Sequence, residues 1–544
     1  MERKWWHDKV VYQIYPKSFM DSNNDGIGDI KGIISKLDYL EDLGVDILWL
    51  CPFFTSPMQD NGYDVADYKG INPMFGTMED VDELICELKK RNMDLMIDIV
   101  ANHTSDQHQW FLESKKSKEN PYRDYYVWRK EPKPAHNSCF GGSAWQYDPK
   151  TEEYYFHEFA VGQPDLNWEN PKIMDEIADA INFWMKKGVR GIRFDVIHLI
   201  GKEIDKGIYG YGPTLHKKVR ELNEKSFGKY DTVTVGEAWG NVQSAIDFTL
   251  PSNHELSMVF QFEVTDYCSD WSKGKYGKYT PRPMNMKFAR DTWCKYQHAL
   301  NDKSWNALFI ENHDLVRAVN KFGDPTNYYQ ESSKEIATLY FFMKGTPYIY
   351  EGQEIGMTNI KIDNVEEYED VEVKGRYNDI VIRDKAVTEK EFLDGCNKES
   401  RDNNRTTMQW DDSINGGFNK GTDVWFKVNP NYKSINVKSE EKDPKSILNY
   451  YKKMIHLRKS EEYKDIFTYG SFEKFDLNND NLFLYTREYE GRKVHILANM
   501  RGNNEALKHS ICITKNLLSN YDDIKEEIEE LRPYEAIVFE GNID

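Results

Sequence analysis

The stretch Gly191-Ile192-Arg193-Phe194-Asp195-Val196-Ile197-His198 is a mostly apolar run that carries one arginine and one aspartate at alternate positions. It follows Lys187-Gly188-Val189, where a glycine ends a helix-like run and a strand-like run begins. Because alternate residues of a strand share a face, Arg193 and Asp195 are expected to point the same way. A guanidinium keeps a neighbouring carboxylate ionised and oriented, which suits a nucleophile as well as a structural ion pair.

Strand-like and helix-like runs alternate along most of the chain. In the first helix-like run, apolar residues recur at helical spacing from Ile30 to Leu40, and Gly44 follows where a left-handed cap belongs. This alternation predicts a parallel sheet with crossover helices, and eight such units close an α/β fold, the (β/α)8 TIM barrel. The strand-like runs are Val10–Phe19, Asp46–Phe54, Asp94–Asn102, the run around Phe194, Thr232–Trp239, Ser257–Glu263, Trp305–His313 and Thr346–Glu351.

Two long polar segments interrupt this alternation. Residues 104–170 are predicted to form an inserted lid domain after the third strand, and residues 355–445 a second lid after the eighth strand. From residue 465 onward, short alternating runs predict a C-terminal antiparallel β-sandwich domain. The predicted domains are a catalytic barrel of residues 1–103 and 171–464, the lid domain of residues 104–170 and the β-sandwich of residues 465–544.

Length and composition restrict the classes of function. A chain of 544 residues is too long for one compact core. The formal net charge of −20 argues against nucleic acid and anionic membranes as partners. Seven cysteines without paired metal-ligand spacing are typical of a reducing compartment. Because the sequence shows neither a targeting peptide nor an apolar run of about 18 residues, we expect a cytoplasmic protein. We also expect a monomer or a weak oligomer.

Three further segments end predicted strands with polar residues. They are Asp98-Ile99-Val100-Ala101-Asn102-His103, Val235-Gly236-Glu237-Ala238 and Glu311-Asn312-His313-Asp314. Barrel enzymes place their chemistry at the carboxyl ends of the strands, so these side chains are expected to meet at one rim. In this order and spacing, they and the stretch around Asp195 resemble the signature regions of family 13 glycoside hydrolases, the α-amylase superfamily.

The resemblance covers nearly the whole chain, from Val11-Tyr12-Gln13-Ile14-Tyr15-Pro16 to the C-terminal domain. Gln163-Pro164-Asp165-Leu166-Asn167 and Met408-Gln409-Trp410 are most similar to the oligo-1,6-glucosidase and dextran glucosidase branch. The resemblance implies a retaining exo-α-glucosidase that hydrolyses α-1,6 bonds at the non-reducing end of isomaltose and isomalto-oligosaccharides. Valine directly after the nucleophile, here Val196, accompanies α-1,6 specificity in this branch.

Three carboxylates are the candidate catalytic residues. Hydrolysis with retention needs two carboxyl groups about 5–5.5 Å apart, a nucleophile and an acid that later acts as a base. Asp195 is the candidate nucleophile, because Arg193 favours its ionised form. Glu237 is the candidate acid, because an apolar strand and negative neighbours favour its protonated form. The resemblance implies the same two roles and assigns Asp314 as the third carboxylate, which bonds sugar hydroxyls.

The resemblance also implies residues that bind the terminal sugar. His103 and His313 match the two family histidines that bind hydroxyls of the sugar whose bond is cut, and neither lies at zinc-ligand spacing. Arg193 completes this group, and Asp98 is expected to orient its guanidinium.

The far end of the sugar pocket is predicted from two other segments. In the segment Asp60-Asn61-Gly62-Tyr63-Asp64, the resemblance implies that Asp60 bonds the far hydroxyls of the terminal glucose and that Tyr63 stacks beneath its ring. A purely structural Asp-Asn-Gly turn is the alternative for Asp60. Arg405 matches the arginine that pairs with that aspartate and closes the pocket. Arg405 lies in the segment Arg401-Asp402-Asn403-Asn404-Arg405-Thr406-Thr407-Met408-Gln409-Trp410, which departs from the family pattern at Thr407, where the family has proline.

The loop from Asp21 to Asp29 spaces oxygen side chains at every second position around a glycine. This spacing resembles the first half of an EF-hand loop, without its distal glutamate. Related glucosidases bind Ca²⁺ in this loop, so the sequence predicts a structural Ca²⁺, with a metal-free polar turn as the alternative. The predicted ligands are the side chains of Asp21, Asn23, Asp25 and Asp29 and the carbonyl of Ile27.

Other activities of the same fold stay open at this point. A trehalose-6-phosphate hydrolase shares the barrel and the three carboxylates but needs a cationic pocket for phosphate. An α-glucosidase active on α-1,4 bonds or on sucrose is a further alternative. A sucrose isomerase is disfavoured, because the segment from Met284 to Asp291 lacks the Arg-rich motif of family isomerases. A non-enzymatic barrel is disfavoured because all three carboxylates are present.

Overall fold

The structure, a computed structural model, describes residues 2–544 apart from the side chain of Lys275. Eight parallel strands form one sheet that curves into a nearly closed barrel, and the first strand pairs with both the second and the eighth. The sixth and seventh strands are the two ends of the sheet. This confirms the predicted (β/α)8 barrel. In chain order the barrel strands are Val11–Ile14, Ile47–Leu50, Asp94–Val100, Gly191–Asp195, Val233–Glu237, Met258–Phe260, Ala307–Leu308 and Thr346–Tyr350.

Helices surround the barrel and end at the signals that the sequence carries. Gly44 and Gly188 both adopt left-handed conformations, with φ of 94° and 105°, and cap the helices before the second and fourth barrel strands. Thr77 and Asp80 form a reciprocal capping box at the start of the second crossover helix. The α-helices are Pro16–Phe19, Ile30–Ser35, Leu37–Leu43, Met78–Lys90, Gln109–Ser114, Pro171–Lys187, Leu215–Lys225, Val242–Thr249, Met286–Leu300, Ala318–Phe322, Tyr329–Phe341, Val371–Tyr377, Glu389–Glu399, Val437–Glu440, Ile447–Lys459 and Lys464–Tyr469.

Three predicted elements differ locally from the structure. The run Val10–Phe19 is a strand only as far as Ile14, because Pro16 starts a short helix at a position where its missing N–H is tolerated. The helix-like run that begins at Ile30 forms two helices in the structure, Ile30–Ser35 and Leu37–Leu43, which are separated at Lys36. The seventh strand, predicted over Trp305–His313, pairs only at Ala307–Leu308, since it lies at an open end of the sheet.

The barrel has two apolar layers because its strands alternate. Val11 and Trp49 belong to the cluster inside the barrel, whereas their neighbours Tyr12 and Leu48 belong to the cluster between the strands and the helices. All four side chains are almost completely buried. Both faces of each strand are therefore covered, as is expected for a parallel sheet.

The lid domain contains a small antiparallel sheet of Trp128–Arg129, Trp145–Asp148 and Glu153–Phe156. A bridge between His103 and Asp165 joins it to the end of the third barrel strand. The second excursion meets the lid where Arg376 donates a hydrogen bond to the carbonyl of Cys139, 2.5 Å away. The backbone of Gly375 approaches Phe140 so closely that a Cβ at this glycine would lie 1.9 Å from the Phe140 carbonyl oxygen. The two excursions therefore pack against each other over the barrel.

The C-terminal domain is antiparallel, as predicted, and its six strands belong to one hydrogen-bonded sheet. One face of the sheet packs on barrel helices, and the Tyr485 hydroxyl donates to the Leu339 carbonyl across this contact, 2.9 Å away. The opposite face has a core of its own around Leu484 and Ile537. The strands are Ser471–Phe475, Leu482–Tyr489, Arg492–Asn499, Glu505–Ser519, Glu527–Leu531 and Ala536–Ile543. A further strand pair, Phe54–Thr55 with Asp67–Ile71, lies after the second barrel strand.

Candidate active site

The carboxyl ends of the barrel strands surround a cavity of about 420 Å³ under the two excursions. Strand register explains why the predicted residues meet there. Arg193 is paired with Asp98 on the third strand and with Val235 on the fifth strand, so residues two positions further on, Asp195 and Glu237, end side by side. The predicted residues that line the cavity are Asp60, Tyr63, His103, Asp195, Glu237 and Asp314.

Arg193 is the centre of the catalytic group. Its Nη1 donates to both oxygens of Asp98, at 2.8 and 2.9 Å, and to Oδ1 of Asp195 at 2.9 Å. Its Nη2 donates to Oε2 of Glu237. Asp98 is completely buried and so orients Arg193, as the sequence predicted. One guanidinium thus holds both candidate catalytic carboxyl groups, which favours the closer of the two separations known for glycoside hydrolases.

Burial and charge act in opposite directions on Asp195. Burial raises the pKa of Asp195 well above its usual value, the Arg193 guanidinium opposes this, and the neighbouring Glu237 raises the pKa further. A retaining site needs a charged nucleophile, and the contact with Arg193 favours the charged form of Asp195.

Trp239 is a neighbour of Glu237 that the sequence analysis did not identify. Its indole Nε1 donates to Oε1 of Glu237 at 2.8 Å, while its ring stacks on Phe262 with centroids 4.4 Å apart. Both aromatic residues line the cavity. Glu237 is thus held from one side by Arg193 and from the other by Trp239.

The third carboxylate, Asp314, is held by three cationic or polar side chains. Arg405 donates to its Oδ1 at 2.9 Å, Arg401 lies 3.3 Å from the same oxygen, and His313 Nε2 lies 2.9 Å from Oδ2. Gln13 donates to Nδ1 of His313, so Nε2 carries the ring proton and faces Asp314. Burial by itself raises the pKa of Asp314, but these three partners hold it well below its usual value.

The predicted partner of Asp60 is wrong. Arg401, and not Arg405, pairs with Asp60, with Nη2 3.4 Å from Oδ1, and it also binds Asp370 through Nε at 3.0 Å. Arg405 instead donates to Asp314 and to the His313 carbonyl. Arg401 is the first residue of the short helix Arg401–Asn404, and Arg405 follows its last residue. About one helical turn separates the two side chains, which sequence spacing alone does not resolve. Burial raises the pKa of Asp60 to about 6, against the effect of Arg401.

The remaining predicted residues take up positions around Asp60. The Tyr63 hydroxyl donates to Asp98 at 3.0 Å, and its ring lies parallel to His313 with centroids 5.1 Å apart. Burial lowers the pKa of His103 to about 4, so this ring is neutral, and its Nε2 lies 3.2 Å from Gln163 Nε2. Gln163 also donates to Asp60 at 3.0 Å.

Four polar residues of this site were missed by sequence reasoning, namely Gln163, Trp239, Asp370 and Arg401. Gln163 and Arg401 lie inside the segments that carry the family resemblance, so their polar side chains could have been recognised there as candidate site residues. Asp370 had no such signal, because only the folded second excursion brings it to the barrel rim.

The cavity is acidic overall. Among the described side chains, eight carboxylates and four cations line it. Three of the cations are paired within 4 Å, Lys278 with Glu372 at 2.6 Å, Lys321 with Glu399 at 3.0 Å and Arg401 with Asp370. Such a lining suits a neutral sugar better than a phosphorylated one.

The aspartates of the predicted metal-binding loop accept hydrogen bonds from nearby backbone N–H groups. Asp21 is buried and accepts from the backbone N–H groups of Asn23, Asn24 and Gly26. Asp29 caps the next helix by accepting from Gly32 at 2.7 Å. The loop is tied to the second excursion, since Asn419 donates to Asp21 at 2.7 Å.

The oxygens that are left for a cation in this loop are few. Asp25 accepts one hydrogen bond on each oxygen, from Ile27 and from Asn23, and is exposed. Within residues 2–544, no cluster of three or more His, Cys, Asp and Glu side chains has the convergence of a metal site. Cation binding would therefore require Asn23 and Asp25 to exchange their mutual hydrogen bond for the metal.

Comparison with known proteins decides the family. The profile described as "Alpha amylase, catalytic domain" matches residues 13–470, which is most of the chain. The chain belongs to the alpha-amylase family. This match and the oligo-1,6-glucosidase relatives described next show that the protein is a glycoside hydrolase.

Alpha-amylase family relatives of high similarity span the full length of the chain. An oligo-1,6-glucosidase of Parageobacillus thermoglucosidasius is 47% identical, with 99% of each chain covered. An oligo-1,6-glucosidase of Bacillus cereus is 46% identical, covering 99% of this chain and all of the relative. A glucan 1,6-alpha-glucosidase of Streptococcus pneumoniae is 43% identical, covering 99% of this chain and 100% of the relative.

Solved structures of the family share the complete fold. An isomaltulose synthase from Erwinia rhapontici, crystallised as a mutant with sucrose, has a TM-score of 0.94 and 39% identity, with both chains fully covered. The trehalulose synthase of Pseudomonas mesoacidophila also has a TM-score of 0.94, at 38% identity and full coverage of both chains. In this protein, no helix within residues 2–544 combines the length and the apolar character that crossing a bilayer requires.

Proposed function

We propose that this protein is a retaining exo-α-glucosidase that hydrolyses the α-1,6 bond at the non-reducing end of isomaltose and isomalto-oligosaccharides. The observation that carries the proposal is Arg193, which holds Asp195 and Glu237 together on one guanidinium. Relatives over 40% identical that are named oligo-1,6-glucosidase and glucan 1,6-alpha-glucosidase support the linkage and the substrate.

In the proposed reaction, the ionised Asp195 attacks the anomeric carbon while Glu237 donates its proton to the glycosidic oxygen. The glucosyl ester on Asp195 is then hydrolysed by water, which Glu237 deprotonates. Arg193 stabilises the negative charge of Asp195 before attack and when it is released. Asp314, held ionised by Arg401, Arg405 and His313, is placed to bond sugar hydroxyls in the transition state.

The exo mode is supported by the bridge between Asp60 and Arg401. This pair joins the loop after the second strand to the second excursion, and Phe140 of the lid lies over the Arg401 guanidinium, 4.9 Å from it. A cavity bounded by these contacts on the side of Asp60 would admit only a chain end between them and the catalytic carboxylates. Asp60 and Gln163 can then bond the far hydroxyls of the terminal glucose.

The alternatives have less support from the site. A phosphate-binding hydrolase needs free cations, whereas three of the four cations of the lining are paired with carboxylates. A sucrose isomerase is supported by the fold of the structural neighbours but not by the segment Met284–Asp291. That segment begins a barrel helix, and its Arg290 donates to the Leu482 carbonyl of the C-terminal domain rather than facing the cavity.

We further propose that the loop from Asp21 to Asp29 binds one structural Ca²⁺. The spacing of its oxygen side chains and the exposure of Asp25 support this, and Asn419 ties the loop to the second excursion. The ion would stabilise the fold and take no part in the chemistry.

A cytoplasmic location and a monomeric or weakly oligomeric state complete the proposal. All seven cysteines are free thiols in the structure, which suits a reducing compartment.

Initial rates on four substrates test the function directly. Isomaltose, maltose, sucrose and trehalose 6-phosphate, assayed in parallel with purified protein, should give the highest kcat/KM on isomaltose. A higher value on trehalose 6-phosphate would replace the proposal with the phosphate-specific alternative. Isomaltulose or trehalulose as the main product from sucrose would replace it with isomerisation.

A further inference from the structure

Trp271 is a large aromatic residue that lines the active-site cavity yet leaves about half of its surface in solvent. Its exposed fraction is 51%, larger than the 40% of Trp239, which lies beside the acid Glu237. Its significance lies in its place, because an exposed indole in the lining of a sugar cavity offers a flat apolar surface to a sugar ring. Trp271 is therefore the more solvent-exposed of the two tryptophans that line the cavity.

The indole of Trp271 is fixed at its polar edge and free on its face. Its Nε1 donates to Oδ2 of Asp266, a cavity-lining carboxylate. Among the side chains that the structure describes, the Trp271 ring stacks on none, in contrast to Trp239 on Phe262. A fixed ring with an open face is what the apolar face of a pyranose needs in order to stack.

The loop that carries Trp271 is anchored on both sides. Before Trp271, the carbonyl of Thr265 accepts from Lys321 at 2.6 Å, and Lys321 is itself paired with Glu399 at 3.0 Å. After Trp271, the carbonyl of Gly277 accepts from the N–H of Asp270 at 3.1 Å and closes the loop. The ring is therefore held in place before a ligand arrives, which reduces the entropy cost of binding.

We propose that Trp271 is a binding platform for the glucose unit that follows the leaving sugar, so that it favours isomaltotriose and longer α-1,6 chains over isomaltose. The proposal rests on the proposed exo-glucosidase function, in which the terminal glucose lies at Asp60 and the leaving sugar beside Glu237. The next unit along the chain then extends towards the mouth, where Trp271 is exposed. Asp266 acts as a positioning residue through the indole N–H.

The test is the ratio of kcat/KM on isomaltotriose to kcat/KM on isomaltose. Trp271→Ala should lower this ratio about three- to tenfold, the effect of one aromatic contact. Trp271→Tyr, which keeps a ring, should retain most of it. Tyr147→Ala is the matched control, because Tyr147 is a similarly exposed aromatic residue, 43% accessible, on the lid and outside the cavity lining.

The possible outcomes distinguish the Trp271 platform from the glucosidase function on which it rests. A ratio that is unchanged in Trp271→Ala, or lowered equally in Tyr147→Ala, overturns the platform and leaves the glucosidase assignment intact. Wild-type protein that cleaves neither saccharide overturns the glucosidase assignment and the platform with it. A lowered ratio in Trp271→Ala that Trp271→Tyr restores supports the platform.

Discussion

At the residue scale, Arg193 donates hydrogen bonds to the three carboxylates of Asp98, Asp195 and Glu237. The nucleophile at position 195 must be a carboxylate. An amide there would keep the hydrogen bond to Arg193 but could not attack the anomeric carbon. Asp195→Asn should therefore keep its fold while kcat falls by at least about a thousandfold. The far-ultraviolet spectrum and melting temperature serve as controls for the fold.

The stereochemistry of the wild-type reaction checks the same assignment. A double displacement through Asp195 gives α-glucose as the first product, which proton NMR resolves within minutes of mixing. An initial β-anomer would show inversion and would exclude Asp195 as the nucleophile.

Arg401 and Arg405 differ by which carboxylates they hold. Arg401 contacts Asp60, Asp314 and Asp370, whereas Arg405 contacts Asp314 and a carbonyl. A lysine cannot reproduce this branched contact. Arg401→Lys should raise KM for isomaltose more than Arg405→Lys does, with a loss in kcat/KM of at least about tenfold. Steady-state kinetics of both variants measure the two changes in KM. A larger increase in Arg405→Lys would favour Arg405 as the partner of Asp60, as predicted from the sequence.

Val196 combines a strained backbone with a position in the cavity wall. Its φ is 33°, a left-handed conformation that is rare for a β-branched residue, and its side chain lines the cavity next to Asp195. Strain at this point is consistent with a functional constraint on how the leaving sugar lies. Val196→Ala should raise the ratio of kcat/KM on maltose to that on isomaltose by about tenfold. No change in this ratio would remove Val196 from the determinants of specificity.

At the scale of elements, the loop from Asp21 to Asp29 follows the first barrel strand and is hydrogen-bonded to the second excursion through Asn419. Ca²⁺ bound in this loop should stabilise the folded state by linkage. Treatment with EDTA should lower the melting temperature, while activity measured well below the transition is largely retained. Re-addition of Ca²⁺ is the control. An unchanged melting temperature together with no bound metal by elemental analysis would contradict the proposal.

At the scale of the whole molecule, the buried Arg487 of the C-terminal domain binds the barrel without any carboxylate. Arg487 donates to the carbonyls of Phe342, Phe467 and Gly470, at 2.6 to 2.8 Å. Burial and the nearby Arg458 lower the pKa of Arg487 to about 9. Since Arg487 is completely buried, its removal leaves several carbonyls unpaired.

Arg487→Ala should therefore destabilise the protein by about 2–4 kcal/mol and lower its melting temperature by several degrees. The matched control is Arg492→Ala at the start of the next strand, where the side chain is 38% exposed and pairs with Glu462 and Glu540. Loss of such a surface pair costs at most about 1 kcal/mol. Equal shifts in the two variants would show that the buried contacts of Arg487 are not what joins the domains.

The sequence by itself determined the barrel, the antiparallel character of the C-terminal domain and the identity of the catalytic carboxylates. Strand alternation and glycine caps such as Gly44 and Gly188 are local signals, and they are strong because the backbone at each position admits few conformations. Asp195, Glu237 and Asp314 follow strands whose ends must meet at one rim, so residue type and strand position were enough to place them.

The tertiary structure alone decided which partners these residues have. Whether Arg401 or Arg405 reaches Asp60 depends on how one short helix is rotated against the barrel. The contribution of Asp370, and the exposure of Trp271, depend on how the two excursions pack over the rim. Contacts between segments hundreds of residues apart are set by packing of the whole chain, and no local pattern of residues encodes them.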